Sequence, residues 1–280
     1  MVLLNGKTIA DATKNILKDV VARLKDSGRN VCLAVVHVGD DAASSVYIKK
    51  KREACEYIGI ECRVISLPST ITQDQVLDVI NNINQDESVN GIIVQLPLPP
   101  HLDTATITNA VKYSKDVDGF TNVCAGELLR GNQLFIPCTP QGIINLLLYY
   151  NIQIAGKECV VVGRSNIVGK PMAMLLLKND GTVTICHSKT KNLKEVCKRA
   201  DILICATGRP KFFNHEYVKE GAVVVDVGIH RQENGKLCGD VDFDDVKDLV
   251  SAITPVPNGV GPMTVSTLMW NCVLAAQAQS

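Results

Sequence analysis

Short runs of β-branched and apolar residues alternate with longer amphipathic stretches along almost the whole chain. Parallel strands are buried on both faces, so they are near-continuous apolar runs, whereas the helices that connect them carry one apolar stripe. The alternation therefore predicts an α/β protein with parallel sheets. In the first half of the chain, the pattern predicts strands at Val31–Val38, Arg63–Leu67 and Gly91–Leu96 and helices at Ile9–Lys25, Ala42–Ile58, Thr72–Asn84 and Thr104–Lys112.

A second set of strands and helices follows an irregular segment that ends near Ile136. It opens with a helix for which Thr139 is the expected N-cap and Pro140 the expected first residue. The predicted strands are Glu158–Val162, Thr182–Cys186, Ile202–Ala206, Ala222–Val227 and Ala252–Thr254, and the last predicted helix is Thr264–Ala278. The two halves are therefore expected to form separate sheets.

The length and composition fit two globular domains. A chain of 280 residues, 46% apolar and 21% charged, can bury two cores. We expect one domain at 1–138, completed by the helix at 264–280, and a second domain at 139–263. Lys plus Arg and Asp plus Glu both number 29, so the charge gives no reason to expect a nucleic-acid partner.

The cysteines and the apolar runs bear on the compartment. We expect no signal peptide and no membrane span, because the apolar runs are far too short to cross a bilayer. The 11 cysteines are scattered singly, without Cys-x-x-Cys or paired Cys/His spacing. Buried reduced thiols in a cytoplasmic protein are expected rather than a disulfide scaffold or a zinc site, and no metal is expected.

A strand, a glycine-bearing turn and a helix start follow one another at Cys159–Pro171. This order suits the pyrophosphate of a dinucleotide, because the free N–H groups and the dipole of a helix N-terminus favour an anion. The turn departs from Gly-x-Gly-x-x-Gly: after Gly163, Ser165 replaces the second glycine and Gly169 comes one residue late. Taken alone, the motif is as consistent with a structural turn as with a cofactor site.

The end of the next strand distinguishes the two nicotinamide cofactors. NAD-binding proteins carry an Asp or Glu there that accepts the ribose hydroxyls, but His187–Thr190 contains no acid. Ser188 and nearby cations, with Arg164 in the first loop, would suit the 2′-phosphate of NADP, and a plain polar strand end is the alternative. Glycines at the strand ends Thr207–Gly208 and Gly228–Ile229 favour the cofactor, because open α/β sheets bind ligands at these ends.

One lysine interrupts the apolar stripe of the helix predicted at Ala42–Ile58. The residues that helical spacing places on this stripe are Ser44, Tyr47, Lys51, Ala54, Cys55 and Ile58. A lysine that is partly removed from water suits proton transfer near neutral pH, so Lys51 is a candidate general acid or base. The alternative is a lysine that snorkels from the edge of the stripe, and the spacing alone favours that alternative.

Two further polar positions are candidates for ligand contact. Gln95 ends a buried strand, and its amide offers a donor and an acceptor either to a ligand or to the backbone of the loop that follows. Asp116 and Asp118 precede a turn at Gly119. Asp116 has the character of a turn residue, whereas Asp118 is placed to hydrogen-bond a polar heterocycle.

Several motifs occur together in the order that characterises one enzyme family. They are Tyr47–Lys51, Val94–Pro99, Lys115–Phe120, Pro137–Pro140, Gly163–Pro171 and Ile253–Thr264. Over essentially its whole length, the chain resembles the bifunctional methylenetetrahydrofolate dehydrogenase/methenyltetrahydrofolate cyclohydrolase family. One position departs from the family pattern: Asn258 stands where a glycine is usual, and asparagine tolerates positive φ better than most residues.

The resemblance implies a fold and a chemistry. The fold is an N-terminal α/β catalytic domain and a Rossmann-like, parallel-sheet NADP-binding domain with a cleft between them. NADP would take a hydride from 5,10-methylenetetrahydrofolate, and water would convert the methenyl product to 10-formyltetrahydrofolate without a metal. Lys51 would transfer protons, Tyr47 would pack against the folate, Gln95 would hydrogen-bond Lys51, and Asp118 would hold the pterin ring.

The resemblance also implies binding residues and partners. The cofactor residues would be Gly163, Arg164, Ser165, Ser188, Thr207, Gly208 and Ile229, and the folate residues Tyr47, Val94, Gln95, Leu96, Asp118, Pro257, Gly259, Gly261 and Pro262. A homodimer in one-carbon metabolism and purine biosynthesis is expected from the resemblance alone. Two other classes stay open: another two-domain NADP dehydrogenase of the shikimate type, and a catalytically silent nucleotide-binding protein.

Overall fold

A computed structural model describes residues 1–279, and for residues 42 and 43 the backbone alone. The chain divides into two compact units. The one that we call the 139–264 unit comprises Met1–Ala10 and Thr139–Thr264. The other, which we call the 11–138 unit, comprises 11–138 and 265–279.

Strands and helices alternate along the chain, which confirms the predicted α/β class. The strands are β1 (Val2–Leu3), β2 (Cys32–Val38), β3 (Glu61–Leu67), β4 (Gly91–Val94), β5 (Glu158–Val162), β6 (Thr182–Cys186), β7 (Ile202–Cys205), β8 (Val223–Asp226), β9 (His230–Arg231), β10 (Leu237–Cys238) and β11 (Ala252–Ile253). The α-helices are α1 (Gly6–Asp26), α2 (Ala42–Ile58), α3 (Gln73–Gln85), α4 (Thr104–Asn109), α5 (Asn122–Arg130), α6 (Cys138–Tyr149), α7 (Gly169–Lys178), α8 (Leu193–Cys197), α9 (Phe243–Val246) and α10 (Val260–Ala278).

A three-stranded parallel sheet in the order β3-β2-β4 forms the centre of the 11–138 unit. All of β2 is buried, because apolar clusters cover both faces of the sheet. Leu33 and Val35 pack in a cluster with residues of α2 and α10, whereas Ala34 and Val36 pack in a cluster with residues of α3 and α4. The sheet thereby brings the carboxyl ends of β2 and β4 to one edge.

A six-stranded parallel sheet in the order β1-β11-β8-β7-β5-β6 forms the centre of the 139–264 unit. The chain passes from β5 to β6 on one side and then returns to the other side at β7. This reversal makes the carboxyl ends of β5 and β7 a topological switch point, which is where open α/β sheets bind their ligands. Val160, Leu203 and Val224 belong to the apolar cluster that fixes these strands.

The N-terminal segment lies in a different unit from the one that the sequence predicted. Val2 N donates to Ser251 O at 2.6 Å and Leu4 N donates to Ile253 O at 2.8 Å, so β1 extends the sheet beside β11. Residues 1–10 therefore belong to the 139–264 unit by their contacts, whereas the predicted domain at 1–138 includes them. A two-residue edge strand is too short to show a periodic pattern in the sequence.

Two predicted helix starts were wrong. Because α6 begins at Cys138, Thr139 is inside the helix, and its Oγ1 lies 2.9 Å from Oγ1 of Thr264 instead of capping. The last helix begins at Val260 rather than at Thr264. Its first turn includes Pro262, which a helix tolerates there because the first N–H groups have no partner within the helix.

Helix α5 lies in the segment that was predicted to be irregular. Thr121 caps it, with Oγ1 accepting from Cys124 N at 3.2 Å. Gly131 ends it in the left-handed region with φ of +81°. Thr121 and Gly131 are signals of a helix start and a helix end. The helix was not predicted because nine residues are too few to show a clear apolar stripe.

Candidate functional site

A hydrogen bond joins a lysine on α2 to the glutamine that follows β4. Nζ of Lys51 donates to Oε1 of Gln95 at 3.1 Å. Gln95 is only 8% exposed. Its backbone N–H donates to Val36 O at 2.8 Å, and its Nε2 donates to Leu96 O at 2.7 Å. These two bonds orient the side-chain amide, so its oxygen faces Lys51.

The stripe predicted on α2 is present, except for its aromatic member. The buried members are Ser44, Ala54, Cys55 and Ile58. Lys51 is half-buried among them, whereas Tyr47 is 38% exposed. Partial burial raises the pKa of the Tyr47 hydroxyl. The Lys51 amine therefore turns toward a buried amide, which differs from the snorkelling lysine that spacing alone favoured.

Asp116 holds the loop that carries Asp118. The Asp116 side chain is buried and accepts from three backbone N–H groups, those of Gly119 at 3.0 Å, Phe120 at 3.2 Å and Thr121 at 2.8 Å. Asp116 is thus the turn residue that the sequence predicted. Three bonds to one carboxyl group fix the loop backbone and with it the position of Asp118.

The charge of Lys51 affects the pKa of Asp118. Burial raises the pKa of the Asp118 carboxyl, and the nearby Lys51 ammonium opposes this shift. The carboxyl of Asp116 raises the pKa of Asp118 further, whereas a hydrogen bond with Cys138 lowers it. Within the 11–138 unit, Lys51 therefore interacts with Gln95 through a hydrogen bond and with Asp118 through its charge.

The glycines of the β5 turn allow close approach of the backbone. Gly163 has φ of +147°, and a Cβ there would contact Ala206 O, on the loop that follows β7. A Cβ on Gly169 would contact Gly163 O and lie 2.7 Å from Arg164 N. Both positions therefore require glycine, and they bring the N-terminus of α7 to the switch point between β5 and β7.

The residues predicted to bind a 2′-phosphate lie after two neighbouring strands. Arg164 and Ser165 follow β5, Ser188 follows β6, and all three are exposed. Oγ of Ser165 accepts from Val168 N at 3.2 Å and from Gly169 N at 3.3 Å, so this side chain also shapes the turn. The hydroxyl hydrogen of Ser165 stays available to an anion.

The loops that carry the cofactor residues predicted after β7 and β8 both bond to the carboxyl group of Asp240. Thr207 N and Gly208 N donate to Oδ2 of Asp240 at 2.5 and 3.0 Å, and Thr207 Oγ1 donates to the same oxygen at 2.9 Å. Ile229, in the segment after β8, is 41% exposed. Its neighbour His230 contacts the other oxygen of Asp240 at 2.8 Å.

The loop before α10 contains Asn258, which the sequence identifies as a departure from the family pattern. Asn258 has φ of +80°, in the left-handed region, and its carbonyl accepts from Lys7 N at 3.1 Å. A Cβ on Gly259 would lie 2.5 Å from Pro255 O. A Cβ on Gly261 would lie 3.4 Å from Cδ1 of Ile229. The exposed Pro257 and the half-buried Pro262 lie on either side of these glycines.

Two family models divide the chain between them. The catalytic domain of tetrahydrofolate dehydrogenase/cyclohydrolase matches residues 4–118, and the NAD(P)-binding domain of the same enzyme matches residues 137–280.

The chain belongs to the tetrahydrofolate dehydrogenase/cyclohydrolase family.

Full-length relatives support the same assignment to the tetrahydrofolate dehydrogenase/cyclohydrolase family. The bifunctional protein FolD of Lachnoclostridium phytofermentans is 56% identical over 98% of both chains. The crystal structure of FolD from Campylobacter jejuni is 47% identical, covers 100% of both chains and has a TM-score of 0.98. The FolD structure from Trypanosoma brucei, complexed with NADP and an inhibitor, is 35% identical, covers 99% of this chain and 98% of that chain, and has a TM-score of 0.95.

Shikimate dehydrogenases share only the fold with this family member. The structure from Aquifex aeolicus is 13% identical, covers 89% of this chain and 97% of that chain, and has a TM-score of 0.56. A likeness at that identity carries no information on substrate. The shikimate-type alternative therefore has no support beyond the fold, in contrast to the full-length likeness to the tetrahydrofolate enzymes.

Two buried polar residues of this family member were missed by the sequence reasoning. Asn271 lies in the apolar helix α10, and its Nδ2 donates to Val117 O at 2.9 Å and to Ile136 O at 3.1 Å. It thereby supports the loop that carries Asp118. Asp240 is 0% exposed and organises the loops after β7 and β8. A polar residue inside an apolar run was the only available signal for Asn271, and Asp240 had none.

Within residues 1–279, no helix is both long enough and apolar enough to cross a membrane. The same residues contain no cluster of three or more His, Cys, Asp or Glu side chains that would hold a metal ion.

Proposed function

We propose that this protein oxidises 5,10-methylenetetrahydrofolate to 5,10-methenyltetrahydrofolate with NADP and then hydrolyses the product to 10-formyltetrahydrofolate. The observation that carries the proposal is the hydrogen bond between Lys51 Nζ and Gln95 Oε1, 3.1 Å long, in a chain that belongs to this family over its whole length. Burial raises the pKa of the Asp118 carboxyl and the charge of Lys51 opposes this rise, which supports a shared role for the amine and this acid.

Lys51 carries the proton transfers of the hydrolysis. Water adds to the bridging carbon of the methenyl cation and loses one proton. The bond from that carbon to N5 then breaks, while the new hydroxyl loses its proton and N5 gains one. Nζ of Lys51 accepts and returns these protons, and Gln95 holds the amine in position.

The other candidate site residues of the 11–138 unit bind the folate. Tyr47 lies one helical turn before Lys51 and, being partly exposed, offers its ring for packing against the ligand. Asp118 hydrogen-bonds the pterin ring. Its carboxyl oxygens can accept hydrogen bonds from the N–H groups of that ring. Val94 and Leu96, on either side of Gln95, complete this set.

The 139–264 unit fits NADP. A Cβ on Gly163 or Gly169 would collide with backbone atoms, so these glycines keep the turn compact at the switch point, where the pyrophosphate of a dinucleotide would lie. Arg164, Ser165 and Ser188 are exposed at the carboxyl ends of β5 and β6, where they would hold the 2′-phosphate. Bound NADP supplies the hydride acceptor for the first reaction.

The other cofactor and folate contacts are proposed for the same unit. Thr207, Gly208 and Ile229 would lie along the cofactor. Pro257, Gly259, Gly261 and Pro262 would contribute to folate binding. A Cβ on Gly261 would lie 3.4 Å from Cδ1 of Ile229, so the two groups of residues are close to each other.

We further propose a cytoplasmic homodimer that supplies 10-formyltetrahydrofolate for purine biosynthesis. All 11 cysteines are free thiols, which fits a reducing compartment. The three-stranded sheet ends at β3 on one side, and an open sheet edge is a surface through which identical chains can associate. Sedimentation velocity tests the oligomeric state, and a single monomeric species at micromolar concentration would reject the dimer.

Two spectrophotometric assays on one purified preparation test the proposed function. We expect methylenetetrahydrofolate-dependent formation of NADPH, and loss of methenyltetrahydrofolate without any cofactor. Each reaction should be compared with a reaction that lacks protein. If NADP binds but neither folate reacts, the chain is the silent nucleotide-binding protein instead.

A further inference from the structure

A buried aspartate collects hydrogen bonds from two loops at the carboxyl edge of the six-stranded sheet. Asp240 is 0% exposed. Its Oδ2 accepts from Thr207 N, Thr207 Oγ1 and Gly208 N at 2.5, 2.9 and 3.0 Å. Its Oδ1 lies 2.8 Å from Nε2 of His230. Both oxygens are therefore occupied, each by a different loop.

A second buried aspartate fixes the backbone of the first. Asp226, at the end of β8, accepts from Asp240 N at 2.8 Å and from Val241 N at 2.9 Å. A Cβ on Gly239 would contact the Asp226 carboxyl, and a Cβ on Gly228 would contact the Asp240 carboxyl. The carboxyl group of Asp240 thus has one position, set by close packing on both sides.

The two loops that Asp240 connects carry proposed cofactor residues. Thr207 and Gly208 follow β7, and Ile229 lies between Gly228 and His230 after β8. The residues proposed for the 2′-phosphate lie after β5 and β6, on the other side of the switch point. A dinucleotide that lies across the carboxyl edge of the sheet from β6 toward β8 would therefore place its nicotinamide half over the loops that Asp240 connects.

We propose that Asp240 and His230 form a positioning pair that holds the loops after β7 and β8 in the shape that receives the nicotinamide half of NADP. This inference rests on the proposed function. The pair touches neither substrate nor cofactor, so it acts through Thr207, Gly208 and Ile229. Because it lies away from the residues proposed for the 2′-phosphate, it serves NADP and NAD equally.

Three substitutions separate this role from a purely structural one. Asp240→Asn keeps the shape of the side chain but turns an N–H group toward donors. His230→Phe keeps a ring and removes the donor, whereas His230→Gln retains an N–H donor. The matched control is Asp201→Asn, at the amino end of β7, where Asp201 accepts from Glu158 N at 3.0 Å and pairs with Lys219 at 2.6 Å.

Loss of one well-made hydrogen bond to a loop should weaken cofactor binding about 10-fold. We expect Asp240→Asn to raise KM for NADP and for NAD by a similar factor, to lower dehydrogenase kcat, and to leave the cofactor-independent cyclohydrolase rate within about twofold. His230→Phe should show a smaller effect of the same kind. His230→Gln should recover most of the loss, and Asp201→Asn should change neither cofactor constant.

Three results would overturn the pair as a positioning device. They are unchanged dehydrogenase constants in both Asp240→Asn and His230→Phe, an equal loss of both activities with a lower Tm, and a changed ratio of NADP to NAD. If the unmodified protein lacks both folate activities, the proposed function fails. Calorimetric titration of the same variants with NADP then tests whether Asp240 and His230 position the loops. If the unmodified protein does not bind NADP, this positioning role is rejected as well.

Discussion

Lys51 Nζ donates a hydrogen bond to Gln95 Oε1 at 3.1 Å, and these two residues are 44 positions apart in the chain. Parallel α/β architecture brings them together, because α2 packs on the sheet in which β4 lies beside β2. The carboxyl end of β4 thereby presents Gln95 to the face of α2 that carries Lys51. The bond explains why a lysine occupies an otherwise apolar stripe.

Cofactor choice depends on the residues after β5 and β6. We expect the unmodified protein to prefer NADP over NAD, because the end of β6 has no acid and Arg164 follows the neighbouring strand β5. Arg164→Ala should weaken the preference about 10-fold, which is the loss expected for one charge-assisted hydrogen bond. Ser188→Asp should weaken it further, since a carboxylate repels the 2′-phosphate and accepts from ribose hydroxyls.

The measurement for cofactor choice is the ratio of kcat/KM with NADP to kcat/KM with NAD. Arg199→Ala is the control, because Arg199 is an exposed arginine that pairs with Glu158 at 3.1 Å, before β5 begins its buried run. Equal values with the two cofactors in the unmodified protein would contradict the assignment.

The left-handed backbone of Asn258 predicts which substitutions the loop accepts. With φ of +80°, Asn258→Gly should be neutral or slightly stabilising. Asn258→Val should lower the free energy of unfolding by roughly 1–2 kcal/mol, because a β-branched side chain is strained in this region, and folate binding should weaken with it. Asn132→Val is the control, since Asn132 is exposed and lacks positive φ.

Urea unfolding of the Asn258 and Asn132 variants decides between these outcomes. A valine at position 258 that is tolerated as well as a valine at position 132 would show that the left-handed conformation does not constrain the loop.

Asp226 predicts a pH dependence of stability. Burial raises the pKa of Asp226 from 3.8 to about 7, although the Val241 and Asp240 N–H groups, with that of Gly228, partly oppose the shift. The folded state therefore favours the protonated carboxyl. This stabilisation is complete below the unfolded pKa and is lost as the pH rises through about 7.

Asp226→Asn cannot ionise and removes this contribution. The free energy of unfolding of the unmodified protein, relative to Asp226→Asn, should fall by about 1 kcal/mol for each pH unit between about 5 and 7. Urea unfolding of both proteins at several pH values in this window measures the difference. Parallel curves for the two proteins would show that Asp226 has an ordinary pKa.

The helix that carries Lys51 was predictable from local signals alone. The bounds Ala42–Ile58 are those that the sequence predicted, because Asp41 caps the helix with a bond to Ser44 N at 2.7 Å and Gly59 ends it in the left-handed region. The long strands β2 and β5 were predicted for a similar reason, since a buried parallel strand is a run of apolar residues.

The buried residues that hold the loops of the site in place could not be predicted from local signals. Asn271 bonds to Val117 O across 154 positions, and Asp240 bonds to Thr207 across 33 positions. Such pairs depend on how strands and helices pack, and no local pattern in the sequence records that packing. The strand β1 was missed because its two residues acquire their role only beside β11.

The substitution Lys51→Met tests the proton-transfer role of Lys51. Methionine retains most of the apolar stem, so the stripe of α2 should stay packed, but it cannot accept or return a proton. Hydride transfer moves no proton to or from an amine, whereas opening of the hydrated methenyl ring does. Lys50→Met is the matched control, because Lys50 is exposed on the same helix.

The deciding measurement is the rate of methenyltetrahydrofolate hydrolysis by Lys51→Met, with dehydrogenase activity and NADP binding recorded on the same preparation. We expect hydrolysis to fall to near the uncatalysed rate in solution, dehydrogenase activity to be reduced less, and NADP binding to be unchanged. Unimpaired hydrolysis by Lys51→Met, at the rate of Lys50→Met, would contradict a proton-transfer role and leave Lys51 as a lysine at the edge of an apolar stripe.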